Sequence, residues 1–151
     1  MADDRTSWEL RRPDLVLAEV ARSHPFDRPC TLLARIDGSY QHQRLTATTL
    51  LWQEPAEDES RRSRLTEQAL ERLSFVRAAD RNNRVLALAV PIVVRPGAAW
   101  MSWDEEEALL GLRYGSNWVD VLNASPLTVT SRGWFSALDE LWGTTPRARW
   151  R

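Results

Sequence analysis

The chain has 151 residues, 43% of them hydrophobic, and a formal net charge of −1. That is enough for one domain with a real core, and the near-neutral balance gives no long-range field to steer it toward nucleic acid or an anionic membrane. All 20 basic residues are arginine, which excludes chemistry that needs a lysine, whether a Schiff base, a phosphate-loop lysine or a nuclease lysine.

The missing lysines and the presence of only two isoleucines, Ile36 and Ile92, match the coding bias of a GC-rich bacterial genome. Cys30 is the sole cysteine, so no intramolecular disulfide or thiolate metal cluster can form. The opening Met-Ala-Asp-Asp-Arg-Thr-Ser-Trp lacks the apolar segment of a secretory signal. The longest apolar run, Val85 to Val94, is too short to span a bilayer. A cytoplasmic protein is expected, without membrane association and without a cofactor.

In chain order, Trp8 to Pro25 reads as a helix. Pro13 suits its first turn, Leu17, Val20 and Ala21 share a face, and Pro25 stops it. Asp37-Gly38 then separates two runs rich in β-formers, a hairpin signal that places strands near 30–36 and 41–52. The stretch 54–83 is the clearest helix, with Leu65, Ala69, Leu73 and Val76 at helical spacing and acids clustered at its positive end. Residues 84–94 form a strand without polar alternation, which implies burial on both faces; Pro91 within it marks an edge or a bulge.

Ser102 and Glu105 fit a capping box, with Asp104, Glu105 and Glu106 in the first turn of a third helix. Ala108, Leu109 and Leu112 form its inward stripe, and Gly115 ends it. Trp118 to Leu122 reads as a strand. Asn123 to Pro126 makes a turn, and Leu127 to Thr130 pairs back as a second hairpin. Thr130 or Ser131 then caps a last helix whose Trp134, Ala137, Leu138 and Leu141 share a face and which Gly143 and Pro146 end. The predicted order is α-ββ-α-β-α-ββ-α: an α+β domain over residues 1–145, with about four helices on a mostly antiparallel sheet built from two hairpins and a central buried strand. Residues 146–151 form an Arg/Trp-rich tail expected to be flexible.

Two functional readings compete. The chain has eight tryptophans, more than a domain this small can bury. Several, including Trp100, Trp103, Trp142 and Trp150, fall at element ends. Exposed apolar patches mark partner or ligand surfaces, and Arg and Trp are enriched at binding hot spots. The candidate binding residues are therefore Trp100, Trp103, Tyr114, Asn117, Trp118, Arg149 and Trp150. The expected function is a non-enzymatic interaction or regulatory module whose partner is another protein or a second copy, with nucleic acid disfavoured by charge and no metal site.

The alternative starts at Asp37-Gly38-Ser39. An Asp-Gly-Ser after an apolar strand resembles the first catalytic segment of ribonuclease H-like nucleases. The resemblance implies metal-dependent cleavage with Asp37 and a helix acid, Glu67 or Glu71, around two metal ions. The strand at 84–94, which would deliver the next acid, carries none. A hairpin turn accounts for the same residues. Neither His24 nor His42 stands in a recognisable nucleophile or metal motif.

Overall fold

Ala-Leu-Ala-Val-Pro-Ile-Val-Val, residues 87–94, contains no polar side chain, and all eight residues are buried. A strand of that composition needs cover on both faces, and the rest of the chain supplies it. The computed structural model describes residues 9–54, 58–75, 87–97, Glu105, Ala108, 122–136 and 139–151. Among these stand two α-helices, α1 (Pro13–Ser23) and α2 (Glu59–Arg72), and seven strands: β1 (Cys30–Asp37), β2 (Arg44–Trp52), β3 (Ala87–Val94), β4 (Leu122–Asn123), β5 (Leu127–Thr130), β6 (Gly133–Ser136) and β7 (Trp142–Gly143). They form one sheet in the order β2-β1-β3-β5-β6-β7, with β4 also on β3. The fold is α+β with a mostly antiparallel sheet, as expected. None of its described helices is long and apolar enough to cross a membrane.

The two faces of β1 and β3 are covered by different helices. Leu32, Ala34 and Ile36 of β1 and Leu88, Val90, Ile92 and Val94 of β3 pack with Val16, Leu17 and Val20 of α1. Their neighbours of opposite parity, Leu33, Ala89 and Val93, pack with Ala69 and Leu70 of α2, with Leu73 and with Ala108. The period of two along each strand separates the clusters. Pro13 opens α1 at a position that lacks nothing by having no N–H. Asp58 caps α2, its Oδ1 accepting from the Ser60 N–H at 3.1 Å.

The first hairpin is present. β1 and β2 pair antiparallel, but residues 38–43 connect them through a short 3-10 turn at Tyr40–His42 rather than a two-residue loop. Gly38 has φ of +101°, and a side chain there would strike the His42 carbonyl.

The second hairpin is not formed as predicted. β4 and β5 do not pair with each other; both run parallel along β3, Leu122 beside Leu88 and Leu127 beside Ile92. They are one strand with an interruption at Ala124-Ser125-Pro126. Pro91 faces that interruption, which explains a proline in a central strand rather than at the expected edge or bulge. Ala89 accepts from the Ala124 N–H, so β3 residues of Ala89's parity, Pro91 included, turn their backbone toward β4 and β5. The missing N–H falls where the ladder is already broken.

The predicted last helix is also replaced, and among the described residues two α-helices stand rather than about four. Residues 133–136 and 142–143 are strands. The cause is Thr130: its hydroxyl accepts from the Arg132 N–H at 3.2 Å. That is the chemistry of a helix cap used instead to close a two-residue turn. Thr130 then pairs with Gly133, whose φ of +136° favours glycine.

The third predicted helix, 102–115, lies mostly outside the described residues. Glu105 and Ala108 within it have helical backbone and are fully buried. They belong to the connection that returns the chain parallel to β3, which requires a crossover. Glu105, assigned a capping role from sequence, accepts a hydrogen bond from Arg95 Nε at 2.9 Å and one from the Thr128 hydroxyl. This ion pair ties the end of β3, the crossover and β5 together. Removing one member of a buried pair strands the other. Glu105→Ala is therefore expected to lose about 3–5 kcal/mol of unfolding free energy, read from urea denaturation. Loss below 1 kcal/mol would show that the pair does not hold the crossover.

Candidate functional site: the exposed edge at Trp142

β6 and β7 form a narrow antiparallel ribbon at one end of the sheet, with Trp134 opposite Gly143 and Phe135 opposite Trp142. The ribbon is fixed from several directions. A side-chain carbon at Gly143 would come within 2.6 Å of Trp134 Nε1, so only glycine lets the indole lie across the strand. Trp134 is buried in the α1-side core and donates its Nε1–H to the Thr145 carbonyl at 3.0 Å. The Ser136 hydroxyl lies 3.0 Å from both Asp139 Oδ2 and Ser125 Oγ, tying the connecting loop to the break between β4 and β5.

Trp142 is on the same ribbon and is 75% exposed, the most open large apolar side chain among the described residues; Leu141 beside it is 44% exposed. The two border a cleft of about 420 Å³ lined also by Arg132, Trp134, Phe135 and Glu140. Its walls are aromatic and aliphatic, and its two charged groups sit at opposite ends of the ribbon. Arg132 precedes β6, and Glu140 precedes the Leu141 that faces Ser136. Neither has an ion-pair partner among the described residues.

The backbone adds a second feature. Ser136 N–H donates to the Leu141 carbonyl at 2.8 Å. In an antiparallel ladder hydrogen-bonded pairs alternate with non-bonded ones, so Phe135 and Trp142 form a non-bonded pair. The N–H and C=O of Trp142 therefore point away from β6, and among the described residues no strand pairs with that side.

Of the residues singled out from sequence, Trp100, Trp103, Tyr114, Asn117 and Trp118 lie outside the described residues. Arg149 and Trp150 belong to a tail that is laid down rather than free. Ala148, Arg149 and Arg151 donate their backbone N–H groups to Thr130, Phe26 and Asp27 carbonyls. Ala148 is buried, and Arg151 pairs with Asp27 at 2.9 Å. Trp150 remains 36% exposed. Trp142, Leu141, Phe135, Arg132 and Glu140 were not among the sequence candidates. The surplus of tryptophan and a place at an element end pointed to Trp142, but reading this stretch as a helix hid the ribbon and the cleft beside it.

Asp37 is at the end of β1 in a dense polar knot. Arg35 Nε is 3.0 Å from Asp37 Oδ2, and Arg35 Nη2 donates to Asp37 Oδ1 at 3.1 Å. Arg35 Nη1 donates to the Leu73 and Ser74 carbonyls at 2.9 and 2.8 Å, closing the C-terminus of α2, and the guanidinium lies 4.7 Å over the Phe75 ring. The ladder between β1 and β2 slips at Thr46, and this bulged residue turns its hydroxyl onto Asp37. Glu71 is in the last turn of α2 and exposed; Glu67 is one turn earlier and half-buried. The described residues include no group of three or more His, Cys, Asp or Glu arranged to hold a metal. Cys30 is half-buried, and burial together with Asp27 pushes its thiol up from the ordinary value, away from the reactive thiolate.

Burial at Asp37 acts to raise its carboxyl, but the hydrogen bonds from Arg35 and Thr46 outweigh it and hold the group below its ordinary 3.8. A carboxyl depressed on folding stabilises the protein at pH above that ordinary value, and the contribution is lost as pH falls below it. Asp37→Asn should lower stability by about 1–3 kcal/mol at pH 7, and the gap from the parent should close as urea midpoints are followed from pH 5 down to pH 2. A gap that stayed constant over that range would remove the ion pair as its cause. Compared with protein-family models, with characterised proteins and with solved structures, the chain matches none.

Proposed function

We propose that the protein is a non-enzymatic interaction module that engages a protein partner through the β6–β7 edge, with Trp142 as the anchor. The observation that carries this reading is a tryptophan 75% exposed on a strand whose outer backbone is unpaired among the described residues. Large aromatic side chains in contact with water beside an apolar cleft are typical of binding hot spots. The single cysteine and near-zero net charge fit a cytoplasmic setting and a protein partner rather than nucleic acid. The Asp37 carboxylate is occupied by Arg35 and Thr46, so a structural role accounts for it without metal chemistry.

The test compares the tagged chain with its Trp142→Ala variant in pull-downs from a lysate of the source cells. A stoichiometric protein retained by the parent after nuclease treatment, and weakened at least about 30-fold by Trp142→Ala, is expected from the usual cost of losing a hot-spot tryptophan. The variant should keep its unfolding free energy to within about 0.5 kcal/mol, as exposed substitutions do. Equal retention by both proteins, or none by either, would overturn the reading.

A further inference from the structure

We propose that the partner is bound as an extended peptide segment that adds a strand alongside β7, with an apolar side chain in the cleft, an acidic residue toward Arg132 and a basic residue toward Glu140. This rests on the reading of the β6–β7 edge as the interaction surface and specifies what occupies it.

Among the described residues the sheet has two outer edges, and they are built differently. β2 is nine residues long, but its ladder slips at Thr46 and again at Leu51. Arg72, from the last turn of α2, reaches over it, donating Nε to Thr49 Oγ1 at 2.9 Å and Nη2 to the Leu50 carbonyl at 2.8 Å. Leu33 and Arg35 of β1 turn their backbone toward β2, as the Thr46 hydroxyl on the Arg35 carbonyl shows. Leu50, opposite Leu32, therefore turns its carbonyl outward, and it is this outward group that Arg72 occupies. Bulges and a guanidinium on an outward carbonyl are devices that stop a further strand from pairing. At the other edge, Trp142 offers its N–H and C=O with neither device, the arrangement on which strand addition depends.

The size of the patch decides between a peptide and a second copy. An aromatic side chain contributes roughly 150–250 Å² when fully covered. Trp142 and Leu141, partly covered already, thus offer about 200–300 Å² per copy. Two such patches bury on the order of 500 Å², against about 1,200–2,000 Å² for a stable interface. A peptide that wraps the edge gains the backbone bonds, the cleft and both charges together. Arg132 lies two residues before the Trp134–Gly143 pair and Glu140 one residue beyond the Ser136–Leu141 pair, which puts them roughly 16 Å apart along the strand at about 3.3 Å per residue. An acidic and a basic residue about five positions apart, with an apolar one between them, complement them.

The probe is a phage-displayed library of random dodecapeptides panned against the immobilised full chain. Enriched peptides are then synthesised and titrated by fluorescence polarisation. The expected consensus has a large apolar residue between an acid and a base. Trp142→Ala should weaken these peptides at least tenfold. Arg132→Glu should replace the acidic preference with a basic one on repeated panning. N-methylation of the one peptide nitrogen that faces the Trp142 carbonyl should weaken binding at least tenfold, while the same change one residue along should not. Absence of any enriched consensus overturns the proposal, as does binding indifferent to Trp142→Ala or to N-methylation. Sedimentation as a dimer whose Trp142 is shielded from acrylamide would assign the edge to a second copy instead. If a folded partner is captured in a Trp142-dependent manner but no peptide is enriched, the peptide inference fails and the interaction surface stands.

Discussion

A strand with no polar side chain on either face has to be interior, and the positions of the other elements follow from that requirement. β3 cannot be covered from one side alone. The chain places α1 on one face and α2 with the segment bearing Glu105 and Ala108 on the other. Both edges of β3 are filled as well, by β1 antiparallel and by the broken strand β4–β5 parallel. The composition of the two faces differs. Leu88, Val90, Ile92 and Val94 look toward α1, while Ala87, Ala89 and Val93 look toward α2. The side with small residues is the one that also accommodates the crossover.

Arginine fixes the junctions of this layered arrangement. Arg35 joins the end of β1 to the C-terminus of α2 through backbone carbonyls that would otherwise lack helical partners. Arg95 joins the end of β3 to the crossover and, through Glu105, to β5. Arg72 lies across the β2 edge. Each uses the planar, multi-donor head group to satisfy at least two acceptors at once, Arg35 on Asp37 and the end of α2, Arg72 on Thr49 and Leu50 of β2, and Arg95 on Glu105 and the Pro96 carbonyl, which a lysine ammonium does less well. Coding bias can supply the arginines; the fold has placed them where their geometry matters.

The parts of the fold legible in the sequence were those set by a single strong local pattern. The amphipathic stripes of α1 and α2, the alternating runs around Asp37-Gly38 and the uninterrupted apolar strand each carried a period that tertiary structure did not override. The parts that were not legible turned on ambiguous chemistry. Thr130 accepts from the N–H two residues on in both a helix cap and a tight turn, and Trp134 and Leu141 satisfy helical spacing while one lies on β6 and the other directly before β7. The pairing of β4 and β5 with β3 depends on a crossover that no local pattern encodes. Pro91 in β3 stands level with Pro126 at the break between β4 and β5, a coincidence visible only once the strands are side by side. The candidate site was half legible: the excess of tryptophan announced an exposed aromatic, but which one is exposed depends on the β6–β7 ribbon that the sequence disguised as a helix. Asp37 was legible as a hairpin residue, while its partner Arg35 required the α2 terminus to come into view.

The unequal treatment of the two sheet edges also bears on how far any pairing can extend. A protein with both edges open can receive a strand on one side and donate one on the other, and copies can then polymerise without limit. Among the described residues, Arg72 and the two bulges close one side of this sheet, so the strand addition proposed at β7 has no counterpart at β2. Pairing at β7 would then terminate after one event. Under the proposed pairing, the same guanidinium that joins α2 to β2 would act as a chain terminator, keeping such pairing to discrete complexes rather than fibres.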